Sequence, residues 1–250
     1  MDRGDDTIAM YDLLQKLEKQ AAAAGGEMHV LLGNHETMNM VNDWRYVTPG
    51  DIASYGGPEA RKEAWSKHGS LGKWLRHKDT VLVKGDSVFV HAGCTGSLYA
   101  LIQTRRLTQS RLTPKFLDTP ENINNQMRSL LLSDKDSREI DKSPILRGGG
   151  PVWYRGYALT PVPETCEDLR KVLQFLGVRR MVSGHTPQEK TVLETCDGQY
   201  VVIDLGISKA YYSNLGGLEM LAPEKADGRW EVYAVYPFKR QRLDVPPSKL

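Results

Sequence analysis

The sequence predicts an α/β fold, and three observations predict it. A helical pattern over residues 167–176 runs through Gly177 directly into a strand-like segment at 178–182, the signature of an α/β unit. Apolar runs too short for helices recur at 28–32, 80–83, 88–91 and 200–205. Two breaks, Lys84-Gly85-Asp86-Ser87 and Asp197-Gly198, carry the turn chemistry of hairpins. Composition agrees with one globular domain spanning 1–250. Of 250 residues, 40% are hydrophobic and 26% charged, which excludes disordered, collagenous and coiled-coil classes. Lys and Arg total 33 against 31 Asp and Glu, so the net charge of +2 gives no electrostatic case for nucleic acid or an anionic membrane. No run approaches bilayer length. The Met-Asp-Arg-Gly-Asp-Asp start lacks an apolar signal region.

Taken in order, the first element is a helix. Asp5, Asp6 and Thr7 offer capping oxygens and acidic charge, and Ile8, Tyr11, Leu14 and Leu17 then recur at helical spacing. Gly25-Gly26 ends it. The run 28–32 reads as a buried strand that stops at Gly33-Asn34-His35-Glu36. Residues 37–80 read as helices and loops anchored by Trp44, Trp65 and Trp74. The 80–91 hairpin follows, ending at His91-Ala92-Gly93. Residues 95–146 read as mostly helical, and Gly148-Gly149-Gly150-Pro151 breaks that pattern. The helix–strand unit then ends at Ser183-Gly184-His185-Thr186. A hairpin across 191–205 and strands at 218–221 and 230–236 complete the chain, with a mobile tail expected after Arg240. The three cysteines, Cys94, Cys166 and Cys196, have no CxxC spacing. An odd, sparse count predicts a reducing, intracellular setting rather than disulfides, with a cytoplasmic address expected and an organelle address left open.

Three places share one layout, in which an apolar strand ends and a glycine and a polar nitrogen or amide group follow at once. They are Leu32-Gly33-Asn34-His35, Val90-His91-Ala92-Gly93 and Ser183-Gly184-His185-Thr186. Strand ends of α/β sheets are where ligands gather, and glycine permits close approach. Imidazole suits transition metals, and an amide oxygen can complete a donor set. One such histidine alone is usually structural, whereas three strand ends of this kind together point to a metal site. His29, His68 and His77 read as structural, Trp153 and Tyr154 as packing residues, and Arg45 as a solvated ion pair. Cys94 has no base partner within sequence reach and is not a nucleophile candidate.

Gly33-Asn34-His35-Glu36, His91-Ala92-Gly93 and Gly184-His185-Thr186 resemble the motifs of calcineurin-like metallophosphoesterases, within the phosphoprotein phosphatase superfamily. Asp2-Arg3-Gly4 is similar to the end of that family's GDxxDRG motif. Arg45-Tyr46-Val47-Thr48, the 150–158 segment and Ile203-Asp204-Leu205-Gly206-Ile207-Ser208 resemble the Shewanella-like branch. The resemblance implies a four-layer α/β/β/α sandwich with mixed sheets. It implies a metal-dependent phosphoprotein phosphatase that hydrolyses phosphomonoesters by metal-activated hydroxide. Asn34, His91 and His185 would bind metal, His35 would protonate the leaving oxygen with Asp2 orienting it, and Arg3 and Arg155 would clamp phosphate. The implied cofactors are divalent Mn, Fe or Zn, two ions in the family and one here. The implied partner is a phosphoprotein or phosphopeptide.

The sequence departs from the family pattern in one large respect. The DxH motif and the Gly-Asp of GDxxDRG do not occur in it, so the expectation is a domain lacking its first one or two strands, with impaired activity. The remaining donors, Asn34, His91 and His185, are all neutral. Two dications about 3.5 Å apart repel by about 19 kcal/mol at an effective dielectric of 20, with no carboxylate supplied by motif to offset it. A non-catalytic phosphate-binding module and a nucleotide or dinucleoside polyphosphate hydrolase stay open as alternatives.

Overall fold

The structure is a computed structural model describing residues 2–96, 120–224 and 228–243. It begins with helix α1 (Thr7–Ala23), whose N-cap Asp6 makes no side-chain capping bond, while Asp5 accepts from Thr48 Oγ1 at 2.6 Å instead. Tyr11 is buried, while Ile8, Leu13 and Leu17 of the same helix are exposed. The run at 28–32 is not a strand. It makes one parallel bridge, Leu31 to Asp79, with Leu32 N–H donating to the Asp79 carbonyl at 2.8 Å. A ladder needs a partner along its length, and among the described residues this segment finds one only there.

Four short helices follow: α2 (Asn34–Met40), α3 (Pro49–Ser54), α4 (Pro58–Trp65) and α5 (Ser70–Arg76). Pro at the first turn of α3 and α4 occupies the position where a missing N–H costs nothing. Strands β1 (Val81–Lys84) and β2 (Ser87–Val90) form the predicted antiparallel hairpin. Next come α6 (Pro120–Leu131), α7 (Ser137–Asp141), α8 (Gly156–Leu159) and α9 (Pro163–Leu176). The helical reading of 95–146 falls partly on 97–119, which lie outside the described residues. Helix α9 ends as predicted at Gly177, whose φ of 66° is the left-handed cap that glycine adopts without strain.

After α9 come β3 (Arg180–Ser183), β4 (Leu193–Thr195), β5 (Tyr200–Val202), β6 (Gly217–Leu221), β7 (Glu231–Tyr236) and β8 (Lys239–Leu243). A mixed five-stranded sheet has the order β1-β2-β3-β5-β4, and an antiparallel three-stranded sheet the order β6-β7-β8. Strand β8 corrects the expected tail: residues 239–243 pair with β7. One face of the larger sheet packs on the helices through Val81, Val88, Val90, Met181 and Val202. Its other face meets the smaller sheet through Val182, Val201, Val232 and Ala234. Strict alternation along the strands separates the two cores. These give the helical layer and the two stacked sheets of the expected sandwich.

The reading of unpaired cysteines is corrected as well. Cys166 of α9 is disulfide-bonded to Cys196 in the β4–β5 turn, and Cys94 alone is free. Their separation of 30 residues concealed a closeness created only when α9 packs on the sheet.

Candidate active site

Strand register builds the site. Strands β2 and β3 run parallel with Val90 opposite Ser183, so the residues that follow leave the sheet at one level. The Gly184 N–H donates to the His91 carbonyl at 2.9 Å and holds the two chain exits together. His185 takes a left-handed φ of 65°, which a residue with a side chain seldom adopts. Gly33 is extended and starts α2, with its N–H donating to Glu36 Oε2 at 2.9 Å. A Cβ on Gly33 would lie 2.8 Å from both Glu36 and the His91 ring. Glycine is therefore needed for α2 to approach His91.

Three donor atoms converge here. His91 Nε2 lies 2.8 Å from Asn34 Oδ1 and 3.0 Å from His185 Nδ1. For ligand bonds of about 2.0–2.1 Å, donors at right angles lie about 3 Å apart, so these edges fit one transition-metal ion. Burial pulls His91 down to about 4, with the nearby charges of His35 and Arg155 adding to it against Glu36. Burial, His91 and Arg155 pull His185 down to about 3. Both rings are thus neutral at pH 7, the form a metal requires. Trp153 meets the His185 ring edge-on at 5.6 Å, so it borders the site rather than only packing the core.

Beside the donors, His35 Nδ1 is 2.6 Å from Asp2 Oδ1. Asp2 is buried. Burial alone would raise its carboxyl, but the hydrogen bonds and charge of His35 and the Asn39 bond outweigh this and hold it below the ordinary value. Asn39 Nδ2 donates to Asp2 Oδ2 at 2.6 Å and to the His35 carbonyl at 2.8 Å. Asn39 Oδ1 in turn accepts from Arg61 Nη2 at 2.7 Å, and Arg61 Nε donates to Asp51 at 2.8 Å.

The arginines border the same place. The Arg3 guanidinium lies 4.4 Å from the Tyr46 ring centroid and 5.3 Å from that of Tyr211. Tyr46 lies 5.0 Å from the His35 ring. Arg155 donates to the His185 carbonyl and, at 3.2 Å, to Thr186 Oγ1. Burial lowers its guanidinium, and Tyr211 opposes that shift. Tyr211 thus stacks near Arg3 and acts electrostatically on Arg155. Arg45, itself exposed, pairs with half-buried Asp43, the ion pair that the sequence suggested. Cys94 is buried, and its thiol is pushed far above the ordinary value by that burial.

Sequence reading missed Asn39, Arg61, Tyr46 and Tyr211. Asn39 had a usable signal, since it follows His35 by four residues in α2 and so shares its face. The others reach the site from distant segments. Among the described residues no three His, Cys, Asp or Glu side chains gather as a metal-binding group, so the donor set is two imidazoles and an amide.

The profile of the calcineurin-like phosphoesterases matches residues 1–189. An uncharacterized protein of Schizosaccharomyces pombe is 35% identical over 218 residues, covering 84% of this chain and 60% of its own. Shewanella-like protein phosphatase 2 of Arabidopsis thaliana is 27% identical over 84% of this chain and 60% of its own length. The chain thus spans about 60% of each of these relatives. The crystal structure of a cold-active protein-tyrosine phosphatase of a psychrophilic Shewanella species superposes with a TM-score of 0.74. It is 26% identical, over 98% of this chain and 67% of that one. A family profile over most of the chain, with its motifs gathered at one edge of the sheet, makes this protein a member of the calcineurin-like phosphoesterases, with relatives in their Shewanella-like branch.

Proposed function

We propose that this chain acts on phosphomonoesters carried by proteins, as a metal-dependent phosphatase. The observation that carries this reading is the convergence of Asn34, His91 and His185 beside the Asp2–His35 pair. Asn34 Oδ1, His91 Nε2 and His185 Nδ1 would hold one divalent ion. A bound Mn, Fe or Zn supplies Lewis acidity toward a phosphate oxygen and toward water. Arg3 and Arg155 bind the remaining phosphate oxygens with planar forks. His35, oriented by Asp2, delivers a proton to the leaving oxygen. Protein substrates rest on the names of the relatives, protein phosphatase and protein-tyrosine phosphatase.

The neutral donor set favours a second reading, in which one cation and two arginines bind a phosphorylated segment without turning it over. One experiment separates them. Purified chain is supplied with Mn, Fe or Zn and assayed on phosphotyrosine and phosphoserine peptides, with peptide binding followed in parallel. Metal-dependent phosphate release that His91→Ala abolishes supports the phosphatase. Binding without release supports the module and overturns catalysis.

A further inference from the structure

We infer that Asn39 is a positioning residue for the His35 general acid and that Arg61 anchors it. This inference rests on the phosphatase reading for its kinetic test and stands apart from it for its spectroscopic one. Arg61, Asp51, Asn39 and Asp2 form one buried polar chain, none more than 3% exposed, that runs from the α3–α4 pair to the His35 ring. The Asn39 amide is used on both sides. Its oxygen accepts from the Arg61 cation, which fixes which way the amide faces. Its nitrogen then points at Asp2 Oδ2 and the His35 carbonyl. Asp2 is left with its other oxygen, Oδ1, for the imidazole. The carboxylate cannot rotate about its own bond without breaking the Asn39 contact, so the ring it holds keeps one orientation and one tautomer.

Arg61 is itself held firmly. Its guanidinium lies 5.0 Å from the Trp44 ring, 5.3 Å from Trp65 and 5.6 Å from Tyr55. Burying a cation this completely is costly, and among the described residues Arg61 Nη1 and Asp51 Oδ1 find no hydrogen bond. An apolar cluster would serve packing better. A donor facing Asn39 at the required angle is what this arrangement provides. The polar chain therefore runs through positions that apolar side chains could fill, and what it adds there is order at Asp2 and His35.

The test compares wild type with Asn39→Leu, which keeps the side-chain volume roughly and removes the donor to Asp2 without setting a second carboxylate beside it. Asn39→Ala serves as a second variant should the first lose its cooperative thermal transition. Leaving oxygens that need protonation should suffer most. On an alkyl phosphate, kcat is expected to fall at least about tenfold, a fraction of what general acid catalysis supplies. On p-nitrophenyl phosphate, whose leaving group departs unprotonated, it should fall less than about threefold, with KM unchanged on both. An equal loss on both esters, or none on either, overturns the inference. Independently of turnover, the proton NMR signal of the His35 Nδ1–H bound to Asp2, assigned by its absence from His35→Ala, should broaden or vanish in the variant. If wild type hydrolyses neither ester, the phosphatase reading falls, and this signal alone decides: persistence unchanged in the variant overturns the inference.

Discussion

At the scale of single residues, protonation links the site to stability. His91 and His185 take up protons near pH 6.5 in the unfolded chain, but only near 4 and 3 when folded, because burial disfavours the charged ring. Between those values the unfolded state binds more protons than the fold. Their contribution to stability is therefore complete above about pH 6.5 and is lost as pH falls through about 4 toward 3. The Tm of metal-free chain should drop steadily across that window, and less steeply in His91→Asn; parallel profiles would contradict the assignment. Added divalent metal should raise Tm at pH 7, and less so in His185→Ala, since only the folded chain gathers the donors. At Arg3, the flanking Tyr46 and Tyr211 rings suit a flat guanidinium better than an ammonium. Arg3→Lys should raise KM for a phosphopeptide about tenfold with the charge conserved.

At the scale of elements, close approach is the controlling variable. Helix α2 delivers Asn34, His35 and Asn39 together, and it can do so because Gly33 has no Cβ to meet His91 and Glu36. Gly33→Ala should push the His91 ring away from Asn34 Oδ1. Metal affinity measured by titration calorimetry should fall about tenfold or more, the scale seen when a ligand's support is disturbed. Retained affinity would mean that the α2 start can shift without cost. The same scale explains what sequence pattern could and could not say. The hairpins at 81–90 and 193–202 and helix α9 were legible because turn chemistry and periodicity are local. The run at 28–32 was apolar enough for a strand, yet a strand exists only where a neighbour supplies a ladder. Strand β8 goes unread for the converse reason: a polar stretch running into the tail expected after Arg240 carries no strand pattern, and pairing with β7 alone makes 239–243 a strand.

At the scale of the molecule, the disulfide joins the helical layer to the edge of the larger sheet. Cys166 lies on α9 and Cys196 in the turn beside β5, and closing a loop across 30 residues restricts the unfolded chain. The entropy of that loop corresponds to about 3–4 kcal/mol. Reduction, or Cys166→Ala with Cys196→Ala, should lower Tm by several degrees while leaving the metal affinity of the intact fold in place. An unchanged Tm would contradict a bond formed in the native chain. Both sheets also contribute to one site economy: β2 and β3 bring the histidines to one edge, while the smaller sheet seals the opposite face through Val182 and Val201. No helix among the described residues is long and apolar enough to cross a membrane.

The sequence by itself determined the α/β class, the candidate donors Asn34, His91 and His185, and the pairing of His35 with Asp2 through family resemblance, because short motifs and turn signals are written in neighbouring residues. Tertiary structure decided which of these meet. Asn34 and His91 stand 57 residues apart, and His91 and His185 stand 94 apart, yet His91 Nε2 lies within 3.0 Å of a donor atom of each. It also chose the Cys166–Cys196 pair and the Arg61–Asn39 support. Such contacts arise from parallel strand register and from helices packing on a sheet, and neither leaves a local trace in the chain.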